Sequence, residues 1–157
     1  MTHSVQLRDV LPEDLPIIFE QQHDPVSVHM AAFVPARDKD AHLAHWTKIL
    51  HDKTTMTKTI LVDGQPAGFL VKFEMADEPE VGYWLGKAFW GKGIATQALT
   101  QFLTHVTVRP VFAHAAKDNL GSLRVLQKCG FEIIGYDRAF ADGRGEDTDG
   151  VILRRNV

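Results

Sequence analysis

Apolar side chains recur along this chain with two spacings, one near 3.6 residues and one near 2, so the pattern predicts both helices and strands. Alternation over residues 5–8 indicates an opening strand, and helices are predicted over 12–24 and about 38–51. Residues 25–36 carry two prolines and little periodicity, so we expect a loop there. The second predicted helix has an apolar stripe of Leu43, Trp46 and Leu50.

The middle of the chain changes to a strand pattern that is interrupted by turn signals. Asp63-Gly64 is a strong hairpin signal, and a further turn is predicted over 76–79. The predicted strands are 57–62, 67–73 and 80–85. A glycine-rich turn over 86–93 then leads into an amphipathic helix. Its apolar face is formed by Ile94, Ala98, Leu99, Phe102 and Val106.

The last third of the chain continues the mixed pattern. A short strand is predicted over 110–115, and the next helix lies between an N-cap at Asn119 and a C-terminal cap at Gly130. Strands follow at 131–136 and 151–153, with a glycine- and charge-rich mobile loop over 137–149. The predicted order is β-α-α-β-β-β-α-β-α-β-β, so we expect one mixed α/β domain over residues 1–157.

Composition narrows the classes of function. The chain has 157 residues and a formal net charge of -3, so it lacks the basic excess typical of nucleic-acid binding. No stretch approaches the ~20 apolar residues of a membrane span, and the N-terminus carries no apolar signal core. Cys129 is the single cysteine, so no intramolecular disulfide can form. We expect a cytoplasmic protein with no nucleic-acid or membrane partner.

Three histidines fall on the second predicted helix, namely His42, His45 and His51. Such a group can bind a metal, but no HExxH spacing or cysteine pair accompanies it. We therefore expect a solvated helix face and no metal site. Cys129 is a second candidate for chemistry, and its apolar position with no paired histidine favours a buried structural thiol.

The glycine-rich turn is the segment best suited to bind a ligand. A strand enters it and a helix leaves it, which directs free backbone N–H groups and the helix dipole at an anion. A nucleotide P-loop is disfavoured because Gly93 stands where Ser or Thr would ligate Mg²⁺. A dinucleotide fingerprint is disfavoured because its third glycine position is Thr96. On the glycines alone, a simple strand-to-helix turn is the leading interpretation.

Three blocks together resemble the GNAT superfamily of N-acetyltransferases, and in particular its RimJ/RimL-like branch. Residues 89–96 resemble the acyl-CoA pyrophosphate loop, usually written Q/R-x-x-G-x-G/A, with Trp90 in place of the first polar residue. Residues 119–131 resemble the N-x-x-S…L-x-K-x-G-F helix, and residues 80–85 the E-I-G-Y-W-L strand. The resemblance implies a mixed, mostly antiparallel sheet flanked by helices.

The same resemblance implies an acetyl-CoA site. Pantetheine is expected along the strand at Trp84 and Leu85, where that strand separates from its neighbour. The remaining cofactor-binding residues would be Trp90, Gly91, Lys92, Gly93, Ile94, Ala95, Thr96, Asn119 and Ser122.

The catalytic residues implied by the resemblance are Glu80 and Ser122. Glu80 would be the base, often acting through water; a surface carboxylate in an acidic turn is the alternative. Ser122 would protonate the departing thiolate, because Leu126 stands where many relatives have a tyrosine. Tyr83 and Tyr136 are reserve candidates for that role, and Asn119 and Ser122 could instead serve only their helix terminus.

The function implied is acetyl transfer from acetyl-CoA, without a metal, to a primary amine. The acceptor would be a protein N-terminus or a small cationic amine, because carboxylates at 77–80 and 146–149 add negative charge. A non-catalytic acyl-CoA-binding or regulatory module on the same fold is the alternative, and a Mg-dependent nucleotide enzyme is a third possibility. We expect a monomer or a homodimer.

Overall fold

The computed structural model describes residues 3–33, 35–36 and 38–157. Within these residues the helices are α1 (Leu15–Gln22), α2 (Pro25–Ala31), α3 (Lys39–His51), α4 (Ile94–His105) and α5 (Leu120–Lys128). The strands are β1 (Val5–Arg8), β2 (Met56–Val62), β3 (Gln65–Met75), β4 (Glu78–Leu85), β5 (Val111–Ala116), β6 (Glu132–Ala141) and β7 (Glu146–Arg155). Among the described helices, none combines the length and the apolar character needed to cross a bilayer.

The described strands form one sheet in the order β1-β2-β3-β4-β5-β7-β6. Neighbours are antiparallel except β4 and β5, which confirms a mixed, mostly antiparallel sheet. Asp63 and Gly64 both have positive φ and close the β2–β3 hairpin, as two-residue turns of this kind require. The β3–β4 turn is equally short, with positive φ at Ala76 and Asp77, so the predicted turn over 76–79 was too long.

The contact between β4 and β5 positions the site. These parallel strands pair at Glu80 and Phe112, at the beginning of their shared length. Beyond this point no further register is formed between the two described strands, and a cavity lies between them. Glu80 therefore sits where the sheet begins to open.

The two faces of the sheet carry different helices. On one face, Ile94, Leu99 and Phe102 of α4 pack against Leu70 and Val81 of the sheet. On the opposite face, a smaller cluster is formed by Val10, Leu15, Ile18, Trp46 and Phe69, which joins α1 and α3 to β3. Because successive strand residues point to opposite faces, residue parity along β4 and β5 tells which side chain meets which helices.

The predicted loop over 25–36 was wrong in part, because α2 occupies its first half. Asp24 accepts a hydrogen bond from the Ser27 backbone at 3.0 Å, and Pro25 takes the first helical position. Both are favourable helix-start features, and Ala32 ends the helix with a φ of 56°. The element order therefore contains one more helix than predicted, since seven residues are too few for a clear period.

The predicted mobile loop over 137–149 was also wrong. β6 continues to Ala141 and β7 begins at Glu146, so only residues 142–145 form a turn. Most of this hairpin is exposed on both faces, and its residues therefore carry no alternation that a sequence pattern could reveal. Arg138 and Asp149 pair across the two strands at 2.9 Å.

Helix α3 was predicted with correct bounds, but of the predicted inward stripe only Trp46 is buried. Leu43 and Leu50 are 53% and 40% exposed, whereas Trp46 and His42 are buried. His42 Nε2 donates to the Leu15 carbonyl at 2.8 Å, and burial lowers the pKa of this imidazole. The expected solvated histidine face is thus wrong for His42, which is a packing residue between α1 and α3. In the described part of the chain no group of three metal-ligating side chains is found.

Candidate active site

A cavity of about 390 Å³ opens through the sheet between β4 and β5. It extends to α2 on one side and to the start of α5 on the other. The lining residues on the strands are Val81, Gly82, Tyr83, Trp84, Leu85, Ala113, His114, Ala115 and Ala116. The remaining lining residues are Ser27, Met30, Ala31, Trp90, Gly91, Ala95, Asn119, Gly121, Ser122, Val125 and Leu126.

The glycine-rich turn forms one end of this cavity. Gly91 and Gly93 both have a φ of +74°, and no atom lies within 4 Å of where a Cβ would stand on either residue. Glycine is thus needed for the backbone conformation, and the space beside the turn is open. α4 begins at Ile94, so the N–H groups of its first turn have no partner within the helix. The turn fits a phosphate-bearing group for both reasons.

Trp90, which stands in place of the first polar residue of the pyrophosphate-loop pattern, stabilises the turn. Its indole Nε1 donates to the Leu85 carbonyl at 2.8 Å and so ties the turn to the end of β4. The ring is partly exposed and lines the cavity. Trp90 thus forms part of the cavity wall and fixes the turn to the end of β4.

The first turn of α5 closes the other wall. The Asn119 side-chain oxygen accepts from the Ser122 backbone at 3.2 Å, which confirms the predicted N-cap. Its amide nitrogen donates to the Met30 carbonyl of α2 at 3.2 Å. Asn119 therefore joins α2 to α5 across the cavity. At the far end, Gly130 has a φ of 90° and Phe131 is buried, as the predicted C-terminal cap requires.

Glu80 and His114 form a close pair at the opening of the sheet. His114 Nδ1 lies 2.6 Å from Glu80 Oε1, in a part-buried position. Burial raises the pKa of the Glu80 carboxyl, and the charge and hydrogen bond of His114 act in the opposite direction. The alternative of a surface carboxylate in a turn is wrong, because Glu80 is a buried strand residue. Sequence reasoning missed His114; its one available signal was a polar side chain inside an apolar strand.

Tyr83 and Ser122 form a second pair. The Tyr83 hydroxyl donates to Ser122 Oγ across 3.4 Å, a long contact. Burial raises the pKa of the Tyr83 phenol, so it keeps its proton at neutral pH. Tyr136 is exposed and lies beneath Lys117 at 5.5 Å, and it is not among the described residues lining the cavity.

The two pairs approach the gap from opposite faces of the sheet. Tyr83 packs with the cluster beneath α4 and α5, whereas its neighbour Trp84 packs with the cluster beneath α1 and α3. By strand alternation Glu80 lies on the Trp84 side. On β5, Ala113 belongs to the α4 cluster, so His114 also faces the other way. A group held in the gap would thus meet a Glu–His pair on one face and two hydroxyls on the other.

The remaining predicted residues differ in how exposed they are to a ligand. Ile94 is buried in the core, so only its backbone is available to a ligand. Lys92 is exposed, and the Thr96 carbonyl accepts hydrogen bonds from neighbouring side chains. Cys129 is buried with a raised pKa caused by that burial, as expected for a structural thiol.

The comparison with known families decides what kind of protein carries this site. A family model described as an acetyltransferase (GNAT) domain matches residues 4–132. The chain belongs to the GNAT acetyltransferase family. A curated relative is the "Uncharacterized N-acetyltransferase p20" of Bacillus licheniformis, 24% identical, with 94% of this chain and 90% of the relative covered.

Solved structures of acetyltransferases share this GNAT fold. A spermidine N-acetyltransferase from Vibrio cholerae, in complex with CoA and spermine, superposes with a TM-score of 0.81. It is 19% identical, with 96% of this chain and 95% of that chain covered. RimL, a ribosomal alpha-N-protein acetyltransferase, gives a TM-score of 0.83 at 18% identity, with 98% and 90% covered. At these identities the likeness concerns the fold, and the acceptor has to be argued from this chain's own residues.

Proposed function

We propose that this GNAT-family chain transfers an acetyl group from acetyl-CoA to a primary amine by direct attack on the thioester. The observation that carries the proposal is the gap between β4 and β5, with a proton-accepting pair on one face and hydroxyl donors on the other. Amide formation from an ammonium and a thioester requires one group of each kind.

Residues 91–96, which comprise the end of the glycine-rich turn and the first residues of α4, would hold the diphosphate of acetyl-CoA through backbone N–H groups. Lys92 adds a positive charge beside it. The pantetheine arm would follow β4 past Trp84 and Leu85 toward Asn119 and Ser122 at the start of α5. Acetyl-CoA supplies an activated acetyl group. The open space beside Gly91 and Gly93 supports this fit.

The Glu80–His114 pair would accept the proton of the incoming amine. An alkylammonium has a pKa of about 10.4, so nearly every acceptor molecule arrives protonated at neutral pH. A buried carboxylate next to an imidazole provides a proton acceptor and stabilises the positive charge before transfer. Backbone N–H groups near Tyr83 and Trp84 would stabilise the oxyanion that forms on the acetyl group.

The Tyr83–Ser122 pair would return a proton to the departing thiolate. The sequence predicted Ser122 in this role, with Tyr83 and Tyr136 as reserve candidates. The partly buried Tyr83 phenol beside it supports a joint assignment, in which the phenol donates and Ser122 positions it.

For the acceptor we propose a protein N-terminal amine, as in the RimJ/RimL-like branch, or a small cationic amine. Both classes occur among proteins of this fold, since the Vibrio cholerae enzyme was solved with spermine and RimL is an alpha-N-protein acetyltransferase. Glu80 provides a carboxylate beside the gap, and Glu146 and Asp147 are exposed on β7. Asp149 contributes less negative charge because Arg138 pairs with it.

The test has two parts. Calorimetry with CoA and acetyl-CoA should show binding, and ATP under the same conditions should give no heat. Incubation with isotope-labelled acetyl-CoA and a panel of peptides with free N-termini, polyamines and amino sugars, read by mass spectrometry, should then reveal the acceptor class. A chain that binds neither CoA nor acetyl-CoA would disprove the proposal, and binding without acetylation of any amine would favour a non-catalytic module.

A further inference from the structure

His114 and Glu80 differ in their access to the cavity. The His114 side chain is 41% exposed and lines the cavity between β4 and β5. The Glu80 side chain is 10% exposed, and it is absent from the described residues that line this cavity. An acceptor amine in the gap thus meets the imidazole first and finds the carboxylate behind it.

The contact with an ionised Glu80 assigns a hydrogen to one nitrogen of the imidazole. An ionised carboxylate only accepts hydrogen bonds, so at 2.6 Å from Glu80 Oε1 the His114 Nδ1 must carry the proton. In a neutral imidazole with hydrogen on Nδ1, the other nitrogen, Nε2, is a free acceptor. The two nitrogens diverge from the ring, so Nε2 is directed away from Glu80. Among the described residues, Glu80 is the one hydrogen-bond partner of this ring, and it contacts Nδ1.

We propose that His114 Nε2 is the atom that takes the proton from the acceptor ammonium, and that Glu80 acts through His114. The proposal rests on the proposed acetyl transfer and assigns the base within it. Glu80 is then a positioning residue: it selects the Nδ1–H form, orients the ring and stabilises the imidazolium that forms.

The protons balance in this scheme. The ammonium loses one proton to His114 Nε2 and becomes a neutral amine, whose nitrogen bonds to the acetyl carbon. The carbon–sulfur bond breaks, and the thiolate takes a proton from the Tyr83–Ser122 pair. That pair is restored by the second proton leaving the nitrogen, and His114 returns its own proton to solvent. The net products are an N-acetyl amide, CoA thiol and one released proton.

Two substitutions at one position separate this proposal from a base at Glu80. In His114→Asn the side-chain amide can still donate to Glu80 from about the Nδ1 position, but no acceptor remains at the Nε2 position. If His114 is the base, His114→Asn and His114→Ala should both lower kcat by ~10²-fold or more. If Glu80 is the base and His114 only holds it, His114→Asn should keep most of the wild-type kcat, and this result would overturn the proposal. His105→Asn, at the exposed end of α4, is the matched control.

Chemical rescue tests the base directly, because added imidazole would not restore kcat if the role of His114 were purely structural. Added imidazole should restore part of the kcat of His114→Ala, because the cavity left by the ring can admit it. It should have no effect on Glu80→Gln, in which the ring is still present. Rescue of Glu80→Gln by formate, with none of His114→Ala by imidazole, would assign the base to Glu80 instead.

The tautomer can be measured in the free enzyme, without any acetyl donor. Nitrogen-15 NMR of the histidine rings should show His114 with hydrogen on Nδ1 and a bare Nε2, and Glu80→Gln should shift this ring toward the mixed tautomers of a free imidazole. A wild-type ring protonated on Nε2 alone would contradict the proposal. CoA calorimetry on the same variants distinguishes failure of the His114 assignment from failure of the proposed acetyl transfer. Equal kcat in wild type and His114→Asn would overturn only the assignment to His114. A wild-type protein that does not bind CoA would overturn the acetyltransferase proposal.

Discussion

At the scale of single residues, the Tyr83 side chain on β4 reaches the start of α5. Burial raises the pKa of its phenol, and its hydroxyl donates to Ser122. Leu126, at the position where many relatives of the fold have a tyrosine, is buried beside the cavity. A phenol from β4 can thus replace one that α5 lacks, because both elements reach the same gap.

The roles of the two hydroxyls can be separated by removing them singly. We expect Tyr83→Phe to lower kcat by ~10²-fold, with a smaller loss for Ser122→Ala, because the phenol is the protonated donor and the serine accepts from it. Steady-state kinetics with a fixed amine would measure both. Tyr136→Phe is the control. A large loss in Ser122→Ala alongside a normal Tyr83→Phe would make the serine the donor.

His42 should give the folded protein a defined pH dependence. Burial lowers its pKa from the ordinary 6.5, with His23 and His45 as the nearby titratable groups. Below pH 6.5 the unfolded chain binds a proton at this position before the folded chain does. The free energy of unfolding should therefore fall as the pH drops through 6.5, and level off below the folded pKa.

Denaturant unfolding of His42→Gln between pH 4 and pH 8 would measure this contribution. Glutamine can still donate to the Leu15 carbonyl but does not titrate. The variant should lose part of the fall in stability below pH 6.5, whereas His45→Gln, on the exposed face of α3, should retain it. Identical pH curves for wild type and His42→Gln would show that the buried imidazole is not the cause.

At the scale of secondary-structure elements, the turn before α4 joins local backbone geometry to binding. Ile94, Ala98, Leu99 and Phe102 are buried, so α4 is fixed against the sheet and its N-terminus has a fixed direction. The positive φ at Gly93 lets the chain enter the helix beside open space. The proposed anion site would thus be built from backbone N–H groups and would depend little on the surrounding side chains.

Two glycine-to-alanine changes should have opposite effects on stability. Gly93→Ala places a Cβ on a residue with a φ of +74°, which should cost about 1 kcal/mol of unfolding free energy. Gly121→Ala lies in the first turn of α5 with ordinary backbone and free space, so it should add about 0.5 kcal/mol. Denaturant titration measures both, and calorimetry should show weaker CoA binding for Gly93→Ala. A stabilised Gly93→Ala would mean that the turn adopts another conformation in solution.

At the scale of the whole molecule, hydrogen bonds join three distant segments, one of which is the cavity-lining helix α2. Arg144, in the β6–β7 turn, donates to both Asp118 carboxylate oxygens at 2.6 and 2.7 Å and to the His29 carbonyl of α2 at 2.9 Å. Gly143 approaches α2 so closely that a Cβ would lie 2.4 Å from the Phe33 nitrogen. α2 and its lining residues are therefore held in place from the far end of the chain.

Loss of this anchor should affect acceptor binding more than chemistry. We expect Arg144→Ala to raise KM for the amine several-fold, with kcat changed less than about threefold, because α2 lines the cavity but lies outside the two proton-transfer pairs. It should also lower the unfolding free energy by about 2 kcal/mol, since charge-assisted bonds are lost. Arg138→Ala, which removes an exposed pair, is the matched control. An unchanged KM in Arg144→Ala would show that α2 is held by other contacts.

The sequence by itself determined those features that depend on neighbours along the chain. The turn at 91–96, the N-cap at Asn119 and the apolar face of α4 each follow from local spacing, backbone preference or hydrogen bonding. The same local signals placed Glu80 and Ser122 on their elements. The short helix α2 has a start signal at Asp24 and Pro25 but too few residues for a clear period, and the exposed β6–β7 hairpin shows no alternation, so both were predicted as loops.

Only the tertiary structure decided which residues meet. His114 lies 34 positions after Glu80, and their contact exists because β4 and β5 become parallel neighbours in the sheet. The inward face of α3 likewise depends on α1, because the Leu15 carbonyl accepts a hydrogen bond from His42. A chain pattern records how often apolar residues recur. It does not record which distant element supplies a hydrogen-bond partner, and partners of that kind form both pairs to which proton transfer is assigned in the proposed function.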